Sequence, residues 1–189
     1  MRLGIAVVLL AALALAGCGG DALQTGPIDA RVMRSVAGAH VDPAAAVAAL
    51  NAYRASHGLG SVRLDPALAA MARRQADAMV AGNALSHDVG GSFPSRLAAA
   101  GVDTTEAGEN LGGGYYSLDE AMNGWRGSPE HDANLLMAHA TRFGIALAKD
   151  PRTRFGVYWA MEVAAEPRRR EGGSALLTSF SGEPVAASR

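Results

Sequence analysis

Three residues on separate segments have side chains that can do chemistry together: His87 in Leu85-Ser86-His87, Glu109 in Ala107-Gly108-Glu109-Asn110-Leu111, and His131 in Ser128-Pro129-Glu130-His131. We read them as converging on one cleft, with Ser128 and Glu130 beside His131. Two imidazole nitrogens, a carboxylate oxygen and a water suit zinc or another divalent metal at about 2.0–2.2 Å. The same set suits proton transfer. Spacing alone leaves another reading open, in which these residues tie loops by hydrogen bonds. Glu109 and Asn110 precede three glycines and can bind backbone amides, and His131 can cap a short helix through Leu136. His40, His57 and His139 are read as surface residues.

Other chemistries find no motif. HExxH, GxSxG, P-loop and dinucleotide fingerprints are absent. The run Gly112-Gly113-Gly114 leads into no GK[ST] helix start, so nucleotide binding is set aside. With 17 Lys and Arg against 18 Asp and Glu, the net charge is −1. No clustered basic face is expected, and nucleic acid is not an expected partner. Arg168-Arg169-Arg170 reads as a solvated patch, with attraction to an anionic surface as the lesser alternative.

The elements that must position the three residues follow from helix punctuation. The 189 residues suit one domain with a real core. Asp42-Pro43 and Asp65-Pro66 each place an N-cap before a proline at the first helical position, and Gly58 and Gly82 close the two helices. On the second, Leu68, Met71, Ala72 and Met79 share a stripe. A short helix is predicted from Phe93 to Ala100. Another runs from Ser117 to Arg126, where Ser117 and Glu120 are spaced as a capping box and Leu118, Ala121, Met122 and Trp125 line one face. The period then turns extended. Phe143–Ala148 and Phe155–Ala164 read as an antiparallel hairpin across the turn at Asp150-Pro151. Trp125, Trp159, Phe143 and Tyr158 are the expected core anchors. Helices first and a hairpin last indicate an α+β fold.

The ends read differently. Arg2 is followed by an uncharged apolar run from Leu3 to Ala16, too short to span a bilayer comfortably but suited to a signal peptide. It ends in Leu15-Ala16-Gly17-Cys18, which holds the one cysteine of the chain. The stretch resembles a bacterial lipoprotein signal. That resemblance implies cleavage before Cys18, lipidation of Cys18 and a membrane as partner, with the protein extracytoplasmic. Several acyl chains anchor a protein stably. The expected organisation is a signal peptide over 1–17, a tether over 18–41, a folded domain over 42–166 and a tail over 167–189. A surface-packed extension is the alternative for the tether. Within the tail, Ala175–Phe180 is either a short strand or a surface segment.

Several stretches, in order, resemble the CAP superfamily of cysteine-rich secretory, antigen 5 and pathogenesis-related proteins, also called the SCP domain. They are LNAYRASHGLGSVRLDPALAAMARRQADAM, LSH, FPSRLAAAG, AGENL, LDEAMNGWRGSPEHDANLL, FGIALA and VYWAMEVA. The resemblance implies a three-layer α-β-α sandwich around a central antiparallel sheet. It implies a cleft with two histidines and two glutamates, onto which His87, Glu109 and His131 map. The second glutamate has no clear counterpart: Ser128 stands three residues after Trp125, and Glu130 is nearby. The implied function is a binding module for lipids or other cell-envelope ligands. A metal-assisted hydrolase of peptide, ester or cell-wall bonds is the alternative, and zinc is the implied metal in either case.

Overall fold

The computed structural model describes residues 29–167. Cys18, the Arg168–Arg170 run and the Ala175–Phe180 segment lie outside the described residues. The elements are α1 (Ala30–Gly38), α2 (Pro43–Ser56), β1 (Arg63–Leu64), α3 (Pro66–Gly82), α4 (Phe93–Ala99), β2 (Ala107–Gly113), α5 (Leu118–Arg126), α6 (Pro129–Leu135), β3 (Ala140–Lys149) and β4 (Val157–Ala165).

The punctuation works as expected. Asp42 accepts from the Ala44 amide, and Asp65 accepts from those of Ala67 and Leu68. Ser117 accepts from Glu120 N–H while the Glu120 carboxylate reaches back to Tyr116 N–H, so two otherwise free amides are bonded. One stop signal shifts by a residue. Gly82 is the last helical residue of α3, and the left-handed position falls to Asn83 at φ 46°. Asparagine tolerates this region because its side chain bonds locally. Here the Asn83 side-chain oxygen Oδ1 accepts from Arg154 N–H and the Tyr158 hydroxyl, which pins α3 to the start of β4.

The sheet runs β1-β3-β4-β2. β3–β4 and β4–β2 are antiparallel, and the two-residue β1 adds to β3 in parallel. All nine residues of β4 are buried, as a central strand with both faces covered requires. Its side chains alternate. Trp159, Met161 and Val163 enter a core with Val36, Leu50, Trp125 and Leu135 from α1, α2, α5 and α6. Tyr158 and Ala160 face Ala72, Ala76 and Met79 of α3, and Ala164 faces Leu68. The result is the α-β-α sandwich, with the four expected aromatic anchors each at most 1 % exposed.

Small residues set the spacing on the α3 side. A Cβ on Gly144 would collide with the backbone at Leu68 and Ala69. Backbone cannot swing aside as a side-chain tip can. Gly144→Ala should therefore lift α3 from β3 and cost about 1–3 kcal/mol, read from the urea midpoint. A midpoint equal to the parent's would contradict this packing.

The segment read as a tether holds α1 over Ala30–Gly38. Its α1 buries Val36 at 2 % exposure and is followed by Ala39 at 1 %. Lys149 Nζ donates to the carbonyls of Ala37 in the last turn and Ala39 at the C-cap, where carbonyls lack helical partners. One turn of apolar spacing, Val32 to Val36, was too short to mark this helix in the sequence.

Candidate functional site

The site is built on β2, an edge strand. Its free carbonyls are bonded by side chains from neighbouring helices: Trp125 Nε1 donates to Leu111 O at 2.9 Å, and Asn134 Nδ2 to Glu109 O at 3.1 Å. The glycines around Glu109 serve close approach. A Cβ at Gly108 would strike the Asn134 side chain, and one at Gly113 would fall 2.7 Å from the Phe155 ring. Gly112 and Gly113 therefore belong to the strand, and Gly114 turns the chain just past it at φ 78°.

Glu109 lies opposite Glu162 of β4, and Glu162 lies opposite Gly144 of β3. Alternation sends both glutamates to the α3–α4 side, where water is excluded. The Glu109 side chain is 2 % exposed. Arg96 of α4 meets it with two bonds, Nη1 to Oε2 at 2.6 Å and Nη2 to Oε1 at 2.8 Å. This fork-to-fork geometry is the strongest arrangement available to the pair. Arg96 also donates from Nε to Gly91 O at 2.9 Å and from Nη2 to His87 O at 3.0 Å. The guanidinium thus fixes both Glu109 and the loop that carries His87. Gln75 Nε2 holds the same loop at Ser86 O.

His87 Nδ1 lies 2.7 Å from Glu109 Oε1, while 56 % of its side chain is exposed. With Nδ1–H donating to the carboxylate, Nε2 faces solvent as an acceptor. His131 stands in the first turn of α6 and is half-buried. Asn110 Nδ2 holds its carbonyl at 2.9 Å, and Asn134 Nδ2 in turn donates to Asn110 Oδ1. Burial lowers the His131 pKa, the His87 charge lowers it further, and Glu130 opposes both. The two imidazoles therefore share one electrostatic neighbourhood at the β2 edge, from opposite faces of the sheet. Ser128 caps α6 without a side-chain bond, and Glu130 is exposed. Neither makes a side-chain hydrogen bond into the cleft. His40, His57 and His139 are exposed. His40 borders a separate cavity of about 270 Å³, lined also by Asp42, Tyr116, Ser117 and Asp119 and away from the three cleft residues.

Two residues of this cluster escaped the sequence reading. The second buried acid is Glu162, not Glu130: it is 0 % exposed, and neither carboxyl oxygen has a hydrogen-bond partner among the described residues. Its signal was present, as the one charge in the otherwise apolar β4. Arg96 was visible only as part of a short helix. The cluster tests the metal expectation. Both oxygens of Glu109 are engaged by Arg96, and no group of three His, Cys, Asp or Glu among the described residues is placed to hold a metal ion. As arranged, His87, Glu109 and His131 do not fit zinc.

Burial raises the Glu162 pKa well above the ordinary 4.5, the Glu109 charge raises it further, and Arg96 pulls it down. The folded state therefore holds a proton that the unfolded chain releases above about pH 4.5. Stability from this group is full below that pH and is lost as pH rises toward the folded pKa. The neutral isostere in Glu162→Gln should flatten that decline and leave the variant more urea-resistant than the parent near pH 9. The His131 effect has the opposite slope and falls below its ordinary 6.5, so the window above about pH 7 reports Glu162. Parallel parent and variant curves above pH 7 would refute the buried neutral acid.

The fold recurs in known proteins. An extracellular protein containing an SCP domain from Bacillus anthracis str. Ames matches with a TM-score of 0.58 at 24% identity, over 65% of this chain and 40% of that one. An outer surface protein of Borrelia burgdorferi matches with a TM-score of 0.58 at 18% identity, over 68% of this chain and 98% of that one. In sequence, the chain is 32% identical over 99 residues to an uncharacterized membrane protein, YlbC of Bacillus subtilis (strain 168). That match covers 51% of this chain and only 29% of the relative's length. No helix among the described residues is long and apolar enough to cross a membrane. The model of the cysteine-rich secretory protein family matches residues 47–163, from within α2 through β4 and including every residue of the cleft. With that span and this sandwich, the chain belongs to the cysteine-rich secretory protein family, the CAP family.

Proposed function

We propose that the chain is an extracytoplasmic CAP-domain protein, anchored through a lipidated Cys18, that acts as a binding module for a lipid or another cell-envelope ligand. One observation carries the binding reading. Arg96 and His87 together take up both oxygens of Glu109, so the cleft offers solvent two imidazoles rather than a free carboxylate. Such a site has hydrogen-bond donors and acceptors on a fixed edge, while the Glu109 carboxylate itself is engaged.

The anchor rests on Leu15-Ala16-Gly17-Cys18 following the apolar run. Cys18→Ser is expected to move the protein from the membrane fraction to the soluble one. An unchanged membrane fraction would refute the anchor. The binding reading is tested by sedimenting the protein with lipid vesicles and with purified cell-wall polymer. His87→Ala with His131→Ala should abolish capture while leaving the melting temperature near that of the parent. Capture by neither material in the parent would refute it.

A hydrolase remains the second reading, favoured by the 2.7 Å contact of His87 with Glu109, which orients an imidazole as a general base. Turnover of a peptide or ester substrate, lost in both His87→Ala and a folded Glu109→Ala variant, would establish it in place of the binding reading.

A further inference from the structure

We propose that the N-terminal half of α1 is a membrane-contact helix: Val32 and Met33, bordered by Arg31 and Arg34, rest on an anionic lipid bilayer and turn the β3–β4 connection toward it. The inference takes its reach from the proposed anchor at Cys18 and does not depend on which ligand the cleft binds.

The exposure along α1 leads to it. Val32 and Met33 stand four and three residues before Val36, so the helix places all three on one face. That face changes along its length. Val32 and Met33 are 38 % and 42 % exposed, whereas Val36 and Ala39 are 2 % and 1 % exposed. Val36 is seated against Gly156, and Lys149 Nζ bonds the carbonyls of Ala37 and Ala39, so the domain holds the helix at its C-terminal end. The apolar face therefore continues past the edge of the core with two large side chains in water. At about 100° per residue, Arg31 borders this face on the Val32 side and Arg34 borders it on the Met33 side. An apolar stripe between two arginines suits a bilayer interface, with methyl groups among the acyl chains and guanidiniums at the headgroups.

Charge selects the occupant. Arg31, Arg34, Lys149 and Arg154 are exposed, and among the described residues none of them is ion-paired with a carboxylate. Lys149 and Arg154 belong to the β3–β4 connection on which α1 rests. Arg152, in the same connection, is neutralised by Asp150 at 2.7 Å. Asp29, the N-cap, is the one acid in α1 and its caps. The surface is thus net positive, which attracts anionic headgroups over about a Debye length. It repels the chain's own C-terminal segment, which opens with Arg168-Arg169-Arg170. Asp29 is eleven residues on from Cys18, so a lipid there holds α1 near the bilayer. Tethering raises the effective concentration of the surface, and a patch too small to bind alone can then orient the domain.

The test places an environment-sensitive fluorophore on one engineered thiol of the purified lipidated protein, reconstituted in phosphatidylcholine vesicles with or without phosphatidylglycerol. Lipid on Cys18 leaves Met33→Cys as the one free thiol. Its label should shift to the blue in the phosphatidylglycerol vesicles and be quenched there by nitroxide-bearing lipid. Adding Arg31→Glu with Arg34→Glu should abolish both effects. A label at Thr105→Cys, before β2 and at the far end of the sheet from the β3–β4 connection, should show neither. No shift at Met33→Cys, an equal shift without phosphatidylglycerol, a shift that survives the charge reversal, or equal shifts at both labels would overturn the proposal. So would a blue-shifted label before vesicles are added, which would mean that α1 is covered by another segment of the chain or by a second copy. The mass of the purified protein reports the lipid separately. Where Cys18 carries none, the anchor fails on its own, and Met33→Cys combined with Cys18→Ser must still show the shift in excess phosphatidylglycerol vesicles.

Discussion

Arg96→Ala should be the most damaging single substitution in the cleft, lowering stability by about 3–5 kcal/mol, as expected when one member of a buried ion pair is removed. Two carboxyl groups then face each other across β2 and β4 with no guanidinium between them. The carbonyls of Gly91 and His87 lose their donors at the same time. The damage should be local first. The loop carrying His87 should gain hydrogen exchange ahead of global unfolding, since Arg96 holds two of its carbonyls and Gln75 a third. Glu109→Gln should cost less, because Glu162 lies 4.0 Å from Nη1 and the guanidinium has a second carboxyl to turn to. Urea denaturation of both variants decides the matter. Equal losses would mean that Glu162 does not take over, and a loss below about 1 kcal/mol for Arg96→Ala would contradict the buried pair.

Arg54→Met is the second large effect, expected at about 3 kcal/mol. Arg54 is 0 % exposed, and burial lowers its pKa. Its hydrogen bonds go to carbonyls: Nε to Gly60 O at 2.8 Å, Nη1 to Leu135 O and Met137 O at 2.9 and 3.0 Å, and Nη2 to Ala140 O at 3.2 Å. Leu135 ends α6 and Ala140 begins β3, so one side chain closes the connection between them. The negative end of the α6 dipole favours a cation there. Methionine fills the volume but bonds none of the four carbonyls, and a lysine ammonium has three donors on one nitrogen for acceptors spread around a fork. Both variants should unfold at lower urea than the parent, Arg54→Lys less so. Because α6 carries His131, the cleft should loosen with the fold. A Met variant as stable as the parent would show that water can satisfy those carbonyls.

These two arginines also show where the sequence was legible. Helix starts could be read because Asp-Pro and Ser-x-x-Glu place the cap and its acceptor within four residues. The β3–β4 hairpin could be read because Val157, Tyr158, Trp159 and Val163 are β-favouring residues in one short run. β2 was not read as a strand because its Gly-rich sequence has low strand propensity. Those glycines are needed where Asn134 and the Phe155 ring lie against the strand. The residues His87 and Glu109 were found from their types, and the structure brings them within 2.7 Å. The bonding roles of Arg54 and Arg96 were not read because arginine in a helix is usually solvated. Their partners are distant carbonyls and a carboxylate that only the tertiary fold brings near.

The docking of α1 has a consequence for reach. An extended chain spans at most about 3.5 Å per residue, so a leash from Cys18 to Asp42 could hold the domain roughly 80 Å from a bilayer. With the segment fixed from Asp29 onward by Val36 and Lys149, only the stretch from Cys18 to Asp29 is left, about 40 Å at full extension. A lipid-anchored copy would then sample a thin layer above the membrane. Its ligand would have to be a component of that layer, or be long enough to enter it.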